Sequence, residues 1–206
     1  MGEPVDSLPL FPLDMVLLPG EVVPLHIFEE RYKLMIGECL ASGGEFGIVW
    51  LASGGLREVG CTARITEVLD RFDDGRMNIL VTGGTPFRLM RRIEQLPYPA
   101  GDVELRDARA DGGDAGLVRE ARERYADLVE RVTDERPEDD ALSALDAFGM
   151  AATIDFDNRA KQELLETESE DDRLRSVADL FRKTVRRLEE SERAAEIAKA
   201  NGHPRR

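Results

Sequence analysis

Residues 8 to 36, "LPLFPLDMVLLPGEVVPLHIFEERYKLMI", change character halfway, from a proline-broken extended chain to a helical repeat. Each of Pro9, Pro12 and Pro24 removes a backbone donor and biases the residue before it away from helix. "LPLFPL" and "VVPLHI" therefore read as short strands suited to an edge or a barrel rim. Pro19-Gly20 makes the turn between them. Phe28, Tyr32, Met35, Ile36 and Cys39 then recur at steps of three and four, which predicts an amphipathic helix stopped by Gly43 and Gly44. Glu29 and Glu30 suit its first turn, where the helix dipole favours negative charge by about 0.3 to 1 kcal/mol each.

Outward from that junction the chain divides into two regimes. "FGIVWLA" (46 to 52) is a continuous apolar run, the signature of a buried strand. "VGCTARITEVLDRF" alternates, with Val59, Cys61, Ala63 and Ile65 on one face. "DDGRMNILVTGG" supplies a hairpin turn at Asp73 to Gly75 and a return strand; "PFRLMRRIEQL" and "AGDVELRD" are expected as further strands. About six strands and one early helix suffice for a small closed or half-closed barrel. After the charged, glycine-rich "RDARADGGDAG" the pattern is helical. Val118, Ala121, Tyr125, Leu128 and Val132 trace one stripe, and Pro137 followed by three acids opens a second helix expected to end near Gly149. "NRAKQELLE" gives a third. A last helix, capped by Ser169, carries Leu174, Val177, Phe181, Val185 and Leu188, with a frayed tail that includes His203. Strands followed by helices make an α+β chain: a barrel subdomain over 1–108, a linker over 109–116 and a helical subdomain over 117–206.

Composition narrows the function. The 206 residues carry a formal net charge of -14, with 42 acidic against 28 basic side chains. The deficit is divided evenly, 17 acids to 10 bases in residues 1–108 and 25 to 18 beyond. A nucleic-acid surface would have to be assembled against that background. The N-terminus lacks the basic start and apolar stretch of a signal peptide, and no run approaches the roughly 18 apolar residues of a membrane span, so a cytoplasmic address is expected. Cys39 and Cys61 match no zinc spacing and are expected as reduced core thiols.

The opening stretch resembles the start of the Lon protease N-terminal, substrate-binding domain, a family that also forms part of the ubiquitin-ligase receptor cereblon. The family pattern is an LPLFPL strand, a V-x-LPG turn and a PL-x-IFE-x-RY segment. It is met here by Leu8 to Leu13, Leu17 to Gly20, Pro24, Leu25, Ile27 to Glu29, Arg31 and Tyr32. "VGCTARITEVLDRFDDGRMNILVTGGTPFRL", "YPAGDVELRD" and the helical end are similar as well. One departure is "TGGTPFRL", whose second glycine and Pro86 predict a locally different bend. The resemblance implies a PUA-like β pseudo-barrel followed by a C-terminal α-helical bundle, and a stand-alone binding role without the ATPase and protease domains that follow in Lon.

Direct searches for chemistry point the same way. No lysine follows a glycine, so the Walker A loop is missing. Ser42 and Ser53 lack the glycine two positions earlier that a nucleophile elbow requires. Two histidines leave little material for a metal site or a proton relay. No catalytic residue, cofactor or metal is assigned. His26 reads as a hydrogen-bonded tie or a pH-sensitive group, Trp50 as a core plug or partner anchor, and Arg88, Arg91 and Arg92 as a solvated strand face. The leading function is the binding of polypeptide, whether an unfolded client, a protease, a chaperone or another protein. Phe11, Met15, Leu17 and Leu18 are the contact candidates, at least half of them expected in the core. The family-defining stretch is read as a hinge, with the binding surface expected elsewhere. RNA binding, which other PUA-like barrels perform, is the alternative that the charge opposes. A structural or regulatory role through the last helix is the third.

Overall fold

The computed structural model describes residues 2–106 and 113–201, with 196–201 described by backbone alone. Six strands, β1 (Pro4–Leu13), β2 (Val22–Ile27), β3 (Phe46–Ala52), β4 (Gly55–Arg71), β5 (Met77–Ile93) and β6 (Ala100–Leu105), form one mixed sheet in the order β2-β5-β4-β3-β1-β6. Because β6 also pairs with β5, five of them close on themselves. The long β5 makes this possible: its first half, Met77 to Thr82, pairs with β2, and its second half, Phe87 to Ile93, with β6. This is the expected pseudo-barrel of an α+β chain.

Of the edge or barrel rim that its prolines suggested, β1 is not an edge, for it pairs with β3 in parallel and with β6 antiparallel. The β6 ladder ends at Pro9↔Ala100 and the β3 ladder begins at Leu10↔Gly47. The prolines thus stand where one neighbour is just starting or has run out, and little pairing is lost. β2 is a true edge, bonded to β5 alone.

The return strand expected after the Asp73–Gly75 turn and the strand expected at 86–96 are a single strand. Between Cys61↔Pro86 and Ala63↔Gly83, β5 spends one residue more than β4, a bulge in which the Thr85 N–H donates to Thr62 Oγ1 at 2.9 Å. Gly83 is required there. Its N–H donates to the Glu21 carbonyl and its carbonyl accepts from the Gly20 N–H, both at 2.9 Å. A Cβ at this position would lie 2.0 Å from the Leu18 carbonyl oxygen. The bend expected at "TGGTPFRL" is therefore a bulge with the β1–β2 turn seated on it.

Helix α1 (Glu30–Ser42) buries Tyr32, Met35, Ile36 and Cys39 and ends at Gly43, whose φ of 69° is the left-handed conformation glycine adopts without strain. Phe28 is not on its apolar face, for the residue precedes the helix and points outward. The remaining helices are α2 (Ala115–Thr133), α3 (Asp139–Ser143), α4 (Ala147–Ala151), α5 (Asn158–Glu166) and α6 (Glu170–Asn201). Of the linker anticipated at 109–116, residues 109–112 lie outside the described residues, and Ala115 and Gly116 already belong to α2. The single helix expected from Pro137 to Gly149 is broken in two. The Asp146 carboxylate accepts from the Gly149 N–H at 2.7 Å and begins α4 as a cap, which ends α3 before it. On α2 the stripe is buried at Ala121, Tyr125 and Leu128, whereas Val132 is exposed. Ser169 caps α6 as expected, but the helix continues through Asn201 where fraying was expected to start near Ala194; His203 lies outside the described residues. Leu174, Val177 and Phe181 are buried, and Val185 and Leu188 pack on them, so the stripe of α6 is spent inside the molecule.

One buried cluster runs from Phe11, Ile27 and Ile79 in the sheet through α1 to Phe148, Leu164 and Phe181 in the helices. Helix α5 makes the connection polar as well as apolar. Lys161 Nζ meets Glu21 Oε1 at 2.5 Å, Gln162 Nε2 donates to the Val59 carbonyl at 3.1 Å, and the Val16 N–H donates to Asn158 Oδ1 at 3.2 Å. Residues 14–21, which join β1 to β2, are thereby held by α5.

Candidate functional site

β1, β3 and β5 finish at one end of the barrel, where β4 and β6 begin. Four pieces of backbone surround a cleft of about 570 Å³ there. Phe11, Pro12 and Leu13 come from the end of β1, His26, Phe28, Glu29, Arg31 and Tyr32 from the β2–α1 junction, Leu51 and Leu56 from the β3–β4 hairpin, Arg92 from the end of β5 and Pro99 from its connection to β6. A second hollow of about 320 Å³ continues from it under Leu96, Pro97 and Tyr98. Pro12, Arg31, Leu56, Arg92 and Pro99 line both, so the two are lobes of one groove.

The floor is fixed by aromatic packing. Phe11, 5% exposed, packs tilted against Tyr32 with ring centroids 4.2 Å apart, and burial pushes the Tyr32 phenol above its ordinary pKa. The walls are apolar and open: Phe28 is 59% exposed, Leu51 52% and Leu96 38%. Their exposure follows from strand parity. Leu25 and Ile27 of β2 turn into the core, so His26 and Phe28 turn out. Leu51 is the last residue but one of β3, beside the two-residue turn at Ser53 and Gly54, and is exposed there. His26 Nδ1 is hydrogen-bonded to Asn78 Oδ1 at 2.7 Å across the ladder, and its ring stacks on Phe28 at 5.8 Å with Phe72 edge-on at 6.3 Å. The histidine is thus a tie between β2 and β5 and part of an exposed aromatic cluster beside the groove.

Charge is sparse and placed. Arg31 lies over the Tyr32 ring at 4.6 Å and pairs with Glu29 at 2.8 Å. Arg92 is exposed and has no ion pair among the described residues, whereas its neighbour Arg91 is paired with Asp102 at 2.6 Å. The Ser7 N–H and then Arg91 hold Asp102 below the usual carboxylate range. Tyr98 secures the smaller lobe by donating its hydroxyl to Glu38 of α1, a bond that pushes its pKa up to about 12.

The four contact candidates read from the sequence separate. Leu17 and Leu18, 1% and 0% exposed, are core residues under the β5 bulge and offer no surface; Met15 is half-buried against the core; Phe11 alone reaches the groove, as its floor. The wall residues Phe28, Leu51, Leu96 and Arg92 were missed, although the alternation through β2 already marked Phe28 as outward. Trp50 is half-buried, donates its indole N–H to Asp14 at 3.1 Å and carries Arg57 over its ring at 5.4 Å. Cys39 and Cys61 are free thiols in the core, both pushed up by burial. Among the described residues no cluster of histidine, cysteine or carboxylate side chains is placed to hold a metal ion, and no helix is long and apolar enough to cross a membrane.

Comparison with known proteins supplies the context. A family model described as the ATP-dependent protease La (LON) substrate-binding domain matches residues 7–183. A Lon N-terminal domain protein from Xanthomonas campestris superposes with a TM-score of 0.65 at 24% identity, covering 84% of this chain and 97% of that one. The N-terminal domain of a Mycobacterium avium complex Lon protease does so with a TM-score of 0.64 at 23% identity, covering 85% and 97%. At such identities the two structures speak to the fold alone.

Proposed function

Because the chain belongs to the Lon substrate-binding domain family, we propose that it is a non-catalytic module of the cytoplasm that binds polypeptide, an unfolded client or a partner protein, through the groove at the end of its barrel. The observation that carries this reading is the exposure of Phe28 and Leu51 in the walls of a cleft of about 570 Å³. A monomeric surface rarely leaves large apolar side chains in a concavity unless something fills it. An extended segment suits the site: a groove with two lobes accepts side chains in succession. The paired or scattered arginines and the net charge of -14 speak against a nucleic-acid backbone as the ligand.

The test is binding of a reduced, carboxymethylated model protein, followed by fluorescence anisotropy, with a labelled RNA oligonucleotide in parallel at low salt. The unfolded protein binds, the double variant Phe28→Ser/Leu51→Ser weakens it about tenfold or more because two half-exposed apolar anchors are lost, and RNA does not bind. Undiminished binding by the double variant would move the site elsewhere. Salt-sensitive RNA binding with no client binding would replace the reading.

A further inference from the structure

We propose that the groove recognises an internal acidic side chain flanked on both sides by apolar ones, with Arg92 as the anchor for the carboxylate. This rests on the groove being the polypeptide site. Arg31 and Arg92 are the only charged side chains that line both lobes, so they stand where the lobes meet. Each lobe has one acid of its own: Glu29 lines only the larger and Glu94 only the smaller. The two cations are therefore shared by the lobes and the acids are not, between apolar walls. Glu29 is already answered by Arg31, which leaves the Arg92 guanidinium free to take a carboxylate in the two-pronged geometry that arginine offers and lysine does not.

Position within the groove selects the source of the carboxylate. A chain terminus at the meeting point would fill one lobe and leave the other empty, whereas an internal Asp or Glu lets apolar neighbours occupy both. Phe28 and Leu51 are the contacts in the larger lobe, and Leu96 in the smaller. The acid in each lobe disfavours further acidic residues in the ligand, so the recognised pattern is one acid between apolar pairs, not a generally acidic peptide.

The test uses fluorescein-labelled peptides in which two Leu-Phe pairs are separated by Ser-Asp-Ser, the same peptide with Asn or Lys at the centre, and a half-length peptide ending at the Asp. The Asp peptide binds about threefold to tenfold tighter than the Asn peptide, the span expected of a partly solvated charge-assisted pair. Arg92→Gln abolishes the difference, and Arg92→Glu reverses it in favour of Lys. Arg92 is exposed at the end of β5, so both variants are expected to fold, and an unchanged melting temperature verifies it. Equal binding of the Asp and Asn peptides overturns the carboxylate assignment and leaves the groove as a polypeptide site. A half-length peptide that binds as tightly as the full one overturns the internal placement. If no peptide binds while the unfolded model protein still does, the inference falls and the broader binding function stands; if neither binds, both fall.

Discussion

Replacing Lys161 tests how the helices support the groove. Its ammonium and the Glu21 carboxylate meet at 2.5 Å with only 9% and 11% of their side chains exposed, and Glu21 Oε2 also accepts the Leu18 N–H at 2.9 Å. Lys161→Ala leaves that carboxylate nearly enclosed with one neutral donor. Removing one partner of a fully buried pair costs about 3–5 kcal/mol; the small opening to water here lowers the expectation to about 2–4 kcal/mol. For a chain of this length that is a fall of roughly 5–15 °C in Tm. Glu21→Gln/Lys161→Met removes both charges, keeps an acceptor for Leu18 and fills the space, and is expected to cost about 1 kcal/mol or less, so the two sites couple strongly in a double-mutant cycle. Calorimetry reads the stability, and because one buried cluster spans sheet and helices, a single transition is expected throughout. Client affinity should fall with the single variant and recover with the double, since residues 14–21 connect the two strands that furnish Phe11 and Phe28. A shift below about 2 °C for Lys161→Ala, or a double variant as damaged as the single, would show that α5 does not clamp this loop electrostatically.

Gly83→Ala should destabilise the fold by about 3 kcal/mol or more, measured by urea denaturation, because the new Cβ would sit 2.0 Å from the Leu18 carbonyl oxygen and the β1–β2 turn must move off the bulge; an unchanged midpoint would mean the turn is not seated there. Tyr98 gives an alkaline signature. Its hydrogen bond to Glu38 raises the folded pKa to about 12, so the stability it contributes is complete below about pH 10, the ordinary tyrosine value, and is lost as pH rises toward 12. Wild type should therefore lose more stability than Tyr98→Phe across that window, and parallel profiles would refute the bond.

The barrel was legible from residues 8–36 because proline and glycine act on the backbone directly, whatever the tertiary context, and because the alternation through Val59 to Ile65 reports a half-covered strand. What was misread depended on neighbours far away in the chain. β1 is interior because β6, some ninety residues later, comes back beside it, and no local signal carries that. The break at Asp146 turned on whether an aspartate sits within a helix or caps the next one, a choice made by the Gly149 N–H and by packing, not by periodicity. At the groove, Leu17 and Leu18 are the half of the contact candidates that the core takes, packed under the β5 bulge by a strand far from them in sequence. Phe28 looked buried because its spacing to Tyr32 imitates a helical step, although the helix starts only at Glu30.

The misreading of Phe28 has a cause that explains how one stretch serves both fold and surface. A strand running into a helix changes its side-chain period from two to 3.6 within a few residues, so consecutive positions leave on different faces. In "HIFEERY" Ile27 and Tyr32 go to the core, where they fix the junction, and His26, Phe28 and Arg31 are left on the outside at a spacing the core has already determined. The segment cannot hold the barrel against α1 without presenting an aromatic ring and a guanidinium side by side at the barrel end. Arg92, delivered by the close of β5 on β6, completes that surface with a charge the segment itself leaves unmatched, since Arg31 is taken by Glu29. On a chain of net charge -14, the two arginines shared by the lobes offset the one acid that lines each, and Arg92 acts at contact range, where screening by salt is weakest.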